Sequence, residues 1–362
     1  MSYALFRNLL FKMDPEKAHI FTIWFLKMMQ STPLLMEQFS RKGKFHDRRL
    51  QIDCLGLTFP NPIGLAAGFD KHAEVYPALS SLGFGSIEVG AITPKPQEGN
   101  PKPRLYRLQE DKAIINRMGF NSHGIEEAKK RFRTLPRPEI PIGINLGKNK
   151  LTPNENAALD YIKGLEQLYN WGDYFVINIS SPNTKGLRDL QSSNMLEPLL
   201  SSILTKRNEL ASKHGFYRPI VLKIAPDLNN NQLEEIISVC LDVNIDGIIA
   251  TNTTVSRDGL TSPHRNQTGG LSGRPLAKRS TEVIYRIFQL TKGKIPIIGS
   301  GGVFSGQDAY EKIKAGASLI QVYTGMIYRG PFIANKINHE LLQLLNRDKL
   351  SNIKEAVGLS HN

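Results

Sequence analysis

A short apolar run followed by a helical pattern repeats eight times along this chain. The runs lie at 62–66, 85–90, 141–146, 174–180, 219–224, 246–251, 295–300 and 318–323. Helical periodicity fills the intervals near 72–82, 123–133, 154–170, 194–213, 230–243, 276–291 and 305–315, with a last pattern near 331–346. Strand and helix in strict alternation point to a parallel sheet, because each strand needs a crossover to return. Eight units over about 285 residues are the arithmetic of an α/β (β/α)8 TIM barrel. A doubly wound sheet usually carries Gly-x-Gly-x-x-Gly after its first strand. That place holds Ala66-Ala67-Gly68-Phe69-Asp70-Lys71.

In a barrel the chemistry sits at the C-terminal strand ends. The fourth run, Tyr174-Phe175-Val176-Ile177-Asn178-Ile179, reads as a buried strand and breaks into Ser180-Ser181-Pro182-Asn183-Thr184, a loop of turn formers. Elsewhere the ends give Ala67 to Lys71, Gly90-Ala91-Ile92-Thr93-Pro94, Asn145 to Asn149, Lys223, Thr251 to Thr254, Gly299 to Gly302, and Tyr323-Thr324-Gly325. The set is small, polar and rich in carboxamides. It holds no metal-ligand spacing and no Ser-His-Asp arrangement, so metallohydrolase and triad-hydrolase readings fall away. Gly301-Gly302 and Gly325 follow strands seven and eight, where barrels cradle phosphate on backbone N–H groups. A lysine ending a strand, as Lys223 does, is costly to bury without a purpose. Beside a flavin's pyrimidine edge it would stabilise the charge of the reduced ring; a Schiff-base or surface lysine is the other reading. Gly143 to Asn149 is one residue short of a nucleotide-binding P-loop and ends in Asn149.

Before the barrel lies a segment of different character. Leu5, Phe6, Leu9, Leu10 and Met13 recur at helical spacing. A second helix is expected after Asp14-Pro15-Glu16, with Phe21, Trp24, Phe25, Met28 and Met29 on it, and Ser31-Thr32-Pro33 breaks it. Residues 1–49 carry nine Lys/Arg against four Asp/Glu, and the whole chain is +13. That balance suits nucleic acid, an anionic membrane or anionic small molecules. The aromatic and basic mixture favours a small helical hairpin lying on an anionic membrane without crossing it. No run reaches the ~18 apolar residues of a span, and no signal-peptide pattern appears. The two cysteines, Cys54 and Cys240, give no disulfide or metal framework. The expected organisation is 1–45 helical membrane segment, 46–346 barrel, 347–362 tail.

Four motifs now carry a resemblance. Ala66 to Lys71, Asn116-Arg117-Met118-Gly119-Phe120-Asn121, Asn178 to Thr184 and Thr268-Gly269-Gly270-Leu271-Ser272-Gly273 occur in order on the expected strands. Together they resemble the dihydroorotate dehydrogenase family, in its quinone-dependent, membrane-associated form, over nearly the whole chain. The resemblance implies bound FMN and oxidation of dihydroorotate to orotate in pyrimidine synthesis, with a membrane quinone (ubiquinone or menaquinone) as final acceptor. It implies Ser181 as catalytic base, with Thr184 and Phe120 framing a proton outlet. Substrate contacts would come from Lys71, Asn116 to Phe120 (Arg117, Met118 and Gly119 included), Asn178, Asn183, Asn252 and Thr253. Cofactor contacts would come from Ala67, Gly68, Phe69, Asp70, Lys71, Asn145, Asn178, Lys223, Thr251 and Gly273. Gly302, Tyr323 and Thr324 would take the phosphate. Where the family pattern has Thr, this chain has Ala91, so a side-chain hydroxyl is missing there. Soluble relatives have cysteine at the position of Ser181 and lack the N-terminal helices.

The resemblance implies no metal and no nucleic-acid partner. The chain is expected to be a monomer on the cytoplasmic face of a bacterial inner membrane. Two other readings compete: a different FMN barrel such as a tRNA dihydrouridine synthase, which would need a catalytic cysteine, and a non-catalytic flavin-binding membrane protein, which would need no base.

Overall fold

The computed structural model describes residues 3–361; Met1, Ser2 and Asn362 lie outside it. Eight parallel strands close into a barrel: β1 (Ile63–Leu65), β2 (Ser86–Ile92), β3 (Ile142–Leu146), β4 (Tyr174–Asn178), β5 (Ile220–Ile224), β6 (Gly247–Ala250), β7 (Ile297–Ser300) and β8 (Leu319–Val322). Each pairs with its sequence neighbours, and β8 closes on β1 with Ile320 opposite Ile63. Nearly all their side chains are buried, as expected for strands covered by helices on one side and packed against each other on the other. One close approach shows how tightly the interior is filled. A Cβ on Gly143 of β3 would lie 2.3 Å from the ring of Tyr174 on β4, so only glycine leaves that ring its place.

The outer helices match the periodicity of the sequence within a few residues. They are α4 (Tyr76–Ser80), α5 (Gly124–Thr134), α6 (Ala157–Leu168), α7 (Ser193–His214), α8 (Asn230–Asp242), α9 (Ala277–Thr291), α10 (Gly306–Lys314), α11 (Thr324–Arg329) and α12 (Ile333–Arg347); the first three helices of the chain are described below. Helix α4 is the shortest, where a helix over 72–82 is expected. The carboxylate of Asp70 accepts the backbone N–H groups of Glu74 and Val75 and holds 70–75 as a turn. The hairpin around Leu55-Gly56 is present, as Ile52–Cys54 paired with Leu57–Phe59.

Three further strands stand outside the barrel. Leu105–Leu108, Ala113–Asn116 and Gly270–Gly273 form an antiparallel sheet with its own small core of Leu108, Ala113, Ile115, Leu260 and Leu271. Gly270 lies opposite Asn116, so this sheet joins two loops about 150 residues apart.

The N-terminal segment has three helices: α1 (Tyr3–Lys12), α2 (Pro15–Gln30) and α3 (Pro33–Gly43). Asp14 caps α2 by accepting the N–H groups of Glu16 and Lys17. The break at Ser31-Thr32-Pro33 is present, and 11 residues of helix follow it. The segment is docked by Tyr3 Oη to Ile327 O at 2.6 Å, Arg107 to Leu10 O at 3.1 Å and Lys27 to Glu74 at 2.7 Å. Leu26 and Met29 enter the main core. At the end of α3 the backbone of Gly43 touches the barrel so closely that a Cβ would lie 2.0 Å from Ser81 O. Gly43→Ala therefore forces α3 away from the barrel. We expect a loss of about 1–3 kcal/mol in denaturant unfolding, the usual cost of overpacking; an unchanged midpoint would show that the contact yields freely.

Candidate functional site

The C-terminal ends of the strands and the antiparallel sheet enclose one deep cavity. Its lining takes in Ser181, six carboxamides (Asn116, Asn121, Asn178, Asn183, Asn252 and Gln321) and two lysines, Lys71 and Lys223. No aspartate, glutamate or arginine lines it among the described residues. With two ammonium groups and no carboxylate in its lining, and only Lys223 paired from behind with Glu88 at 3.5 Å, the wall favours an anionic ligand.

Ser181 follows β4 and is almost fully buried. Its Oγ accepts the N–H of Asn183 at 3.3 Å, which leaves the hydroxyl proton free to point elsewhere. Asn183 donates from Nδ2 to Asn116 Oδ1 at 3.1 Å, joining the loop after β4 to the antiparallel sheet. Asn100 donates to Asn183 O at 3.0 Å and holds the same loop from the other side. Arg188 staples this loop to the loops after β5 and β6: it donates to Ser180 O and Thr253 O and pairs with Asp227 at 2.7 Å. Thr184 Oγ1 is buried close by without a partner. Lys71 Nζ donates to Gly68 O at 2.7 Å. Burial pushes its ammonium down to about 8, against the opposing pull of Glu16.

The floor of the cavity is a line of amides. Asn178 Nδ2 donates to Asn145 Oδ1 at 3.0 Å, and Asn252 Nδ2 donates to Asn178 Oδ1 at 3.3 Å and to Ser180 Oγ at 2.9 Å. Asn145 in turn donates to Glu88 at 2.8 Å. At the far end lie Gly273, Gly301, Gly302, Thr324 and Gly325, with Ser272 Oγ 2.8 Å from Thr324 Oγ1. These glycines bring backbone close to the cavity where strands seven and eight end, a position suited to phosphate. Gln321 also lines the cavity, and its Oε1 is buried without a partner. Lysine, carboxamides and an unpaired amide oxygen at one end with a glycine cradle at the other fit a flavin mononucleotide's polar ring edge and phosphate.

Most of the substrate and cofactor contacts expected from the resemblance line this cavity. Four do not. Phe69 turns away and meets His19 edge-on, with ring centroids 5.3 Å apart. Asp70 caps the turn before α4. Arg117 points to Gln267, Thr268 and Tyr106. Asn145 lies beneath the floor and reaches the cavity only through Asn178. These four residues frame the site and do not line it. Ala91 does line it, presenting a methyl group where a hydroxyl is expected from the family pattern. Glu88, Gln321 and Ser272 are not among the sequence candidates. An acidic residue inside the apolar run 85–90 is the signal that could have found Glu88.

A second cavity opens between α2 and the barrel mouth and shares His19, Lys71, Met118 and Asn121 with the first. Its wall carries Ile20, Ile23 and Trp24 with Glu16, Lys27 and Arg104. Arg104 and Glu16 pair at 2.8 Å, both largely buried. Burial first, then the charge of Lys71, push the His19 imidazole down to about 3, so it is neutral at physiological pH. Of the five apolar α2 side chains singled out in the sequence, only Trp24 lines it. Phe21 and Met28 face out, Phe25 packs on Phe39, and Met29 is fully buried.

Neither cysteine is near the first cavity. Cys54 lies in the early hairpin and Cys240 in α8; burial pushes both thiols up to about 12. A cysteine-dependent flavin barrel finds no thiol here.

The dihydroorotate dehydrogenase family model matches residues 49–345. A relative in Christiangramia forsetii named dihydroorotate dehydrogenase (quinone) is 51% identical over 95% of this chain and 99% of its own length. One of the same name in Acidithiobacillus ferrooxidans is 47% identical over 99% of both chains. Among solved structures, a ligand-free DHODH from Eimeria tenella superposes with a TM-score of 0.88 at 42% identity, covering 96% of this chain and all of its own. A second structure of that enzyme, in complex with ferulenol, gives 0.86 at 40% identity over 96% of each chain.

Proposed function

This chain belongs to the dihydroorotate dehydrogenase family, and from that premise we infer how its residues carry the reaction. It oxidises dihydroorotate to orotate, in pyrimidine synthesis, and passes the electrons to a quinone. Asn178, Lys223, Gly302, Tyr323 and Thr324 of the first cavity would hold FMN, which would supply a two-electron acceptor for the hydride lost from C6. The observation that carries this reading is the meeting of Ser181, six carboxamides and two lysines in one cavity whose lining has no acidic side chain.

Each role follows from chemistry at the cavity wall. The ammonium of Lys71 draws in the substrate carboxylate. Asn116, Asn183, Asn252 and Thr253 offer donors and acceptors to the ring amides, and a ring that lacks either would leave them unpaired. Ser181 Oγ takes the C5 proton. A serine hydroxyl is a weak base, so it needs an outlet for its own proton. The unpartnered Thr184 Oγ1 and Phe120 beside the loop supply the family's outlet route. Lys223 and Asn178 meet the flavin ring, and Gly302, Tyr323 and Thr324 its phosphate end.

The quinone occupies the second cavity. His19, neutral and half-buried, is a donor for a quinone carbonyl, and the shared wall at Lys71 and Met118 brings that cavity against the first. No helix among the described residues is long and apolar enough to cross a membrane. Leu5, Leu9, Ile20, Trp24 and Leu34 are each more than half exposed on α1–α3. With Lys12 and Lys17 beside them they form an apolar, basic face suited to an anionic bilayer, on the cytoplasmic side of a bacterial inner membrane.

Three outcomes are expected. Ser181→Ala keeps its flavin but slows flavin reduction by dihydroorotate roughly 10²–10⁴-fold in stopped-flow absorbance; reduction at the wild-type rate would assign the base elsewhere. The second outcome concerns pH. Lys71 is charged below about 8 and neutral above, so orotate affinity holds below that pH and declines up to about tenfold per unit above it. Lys71→Ala should bind orotate weakly and without this slope, and a flat wild-type profile to pH 10 would contradict the assignment. Third, a chain beginning near Lys44 should bind FMN and be bleached by dihydroorotate. It should lose liposome binding and most turnover with long-tailed quinone, and retain more with small soluble acceptors. Full turnover with long-tailed quinone would reduce α1–α3 to packing.

A further inference from the structure

Glu88 and Lys223 are the only charged residues on the eight barrel strands. Both side chains are buried, at 0% and 6% exposure, and Glu88 Oε1 lies 3.5 Å from Lys223 Nζ. Lys223 lines the first cavity; Glu88 does not. A buried carboxylate is expensive, and a buried ion pair adds little net stability over apolar packing of the same volume. Stability alone therefore does not account for the pair. What the carboxylate adds is direction.

An ionised carboxylate only accepts hydrogen bonds, whereas an amide both donates and accepts. Glu88 Oε1 accepts from Asn145 Nδ2, and Oε2 accepts from Gln321 Nε2. Asn145 must therefore turn its nitrogen to Glu88 and its oxygen to Asn178. Asn178 must then give its nitrogen to Asn145 and its oxygen to Asn252 and Ser180. One acceptor-only group fixes, in sequence, which face each of these amides shows to the cavity. Gln321 is fixed by the same rule, with Oε1 left unpaired.

We propose that Glu88 is a positioning residue that sets the donor–acceptor polarity of the cavity floor and counterbalances the charge of Lys223. It touches neither substrate nor cofactor and acts through Asn145, Gln321 and Lys223. This inference rests on the reading that FMN and dihydroorotate occupy the first cavity. In that place Lys223 favours the negative charge of reduced flavin, and Glu88, one position further back, opposes it.

Glu88→Gln keeps the shape, removes the charge and restores an amide that can donate. Measured against wild-type holoenzyme, it should raise the midpoint potential of bound FMN. It should also weaken orotate binding by up to about tenfold, the cost of one misdirected hydrogen bond. Glu88→Asp, which keeps the charge, should return the potential towards wild type. Both shifts in Glu88→Gln are required. An FMN-loaded Glu88→Gln protein whose potential is unchanged or lower, or whose orotate affinity is unchanged, overturns the inference. If that variant does not fold, Lys223→Met is compared with Lys223→Met/Glu88→Gln, which has no unpaired charge. The double variant must show the higher potential, and an equal or lower value overturns the inference. Wild-type protein that carries no flavin, or is not bleached by dihydroorotate, overturns the functional reading and this inference together. A bleachable wild type with failed variants overturns this inference alone.

Discussion

The closure of eight parallel strands is the constraint on which every functional atom depends. Once β8 pairs with β1, no strand can slide without breaking hydrogen bonds on both sides. Loops that would wander on an open sheet are then anchored at fixed separations around a ring. This is why Ser181, Lys223 and Asn252, which come from three different crossings, share one cavity. The staple from Arg188 to the loops after β5 and β6 refines an arrangement that the backbone ladder has already imposed.

The barrel was legible because its signal is local and repeated. Runs such as 174–180 and 219–224 fall within two residues of Tyr174–Asn178 and Ile220–Ile224. The antiparallel sheet was not legible. Its strands are four residues each and contain Asn116, Ser272 and two glycines, and although two of them form a local hairpin the third joins from about 150 residues away, so periodicity does not mark them. Helix α4 came out short because a side chain, Asp70, competes for the first N–H groups.

The site divides in the same way. Reading the residue after each strand finds Ser181, Lys71, Asn252 and Thr324, because in a barrel that position faces the mouth. It does not tell which way a side chain turns within a loop or strand. Hence Phe69, Asp70 and Arg117 sit at the rim pointing elsewhere, and Asn145 lies one layer below. The α2 helix shows the same limit. Its apolar residues are visible in the sequence, but the division of Met29 to the core, Trp24 to the second cavity and Phe21 to the surface depends on how the helix is rolled.

That roll is held by specific bonds, Glu16 to Arg104 on one side and Lys27 to Glu74 on the other, rather than left to a linker. A segment docked in this way works as a rigid keel. A bilayer that takes up Leu5, Leu9 and Trp24 also sets the tilt of the whole barrel, because those side chains cannot turn independently of it. On the proposed reading, the oily acceptor would then enter from the lipid side, through the cavity beside α2.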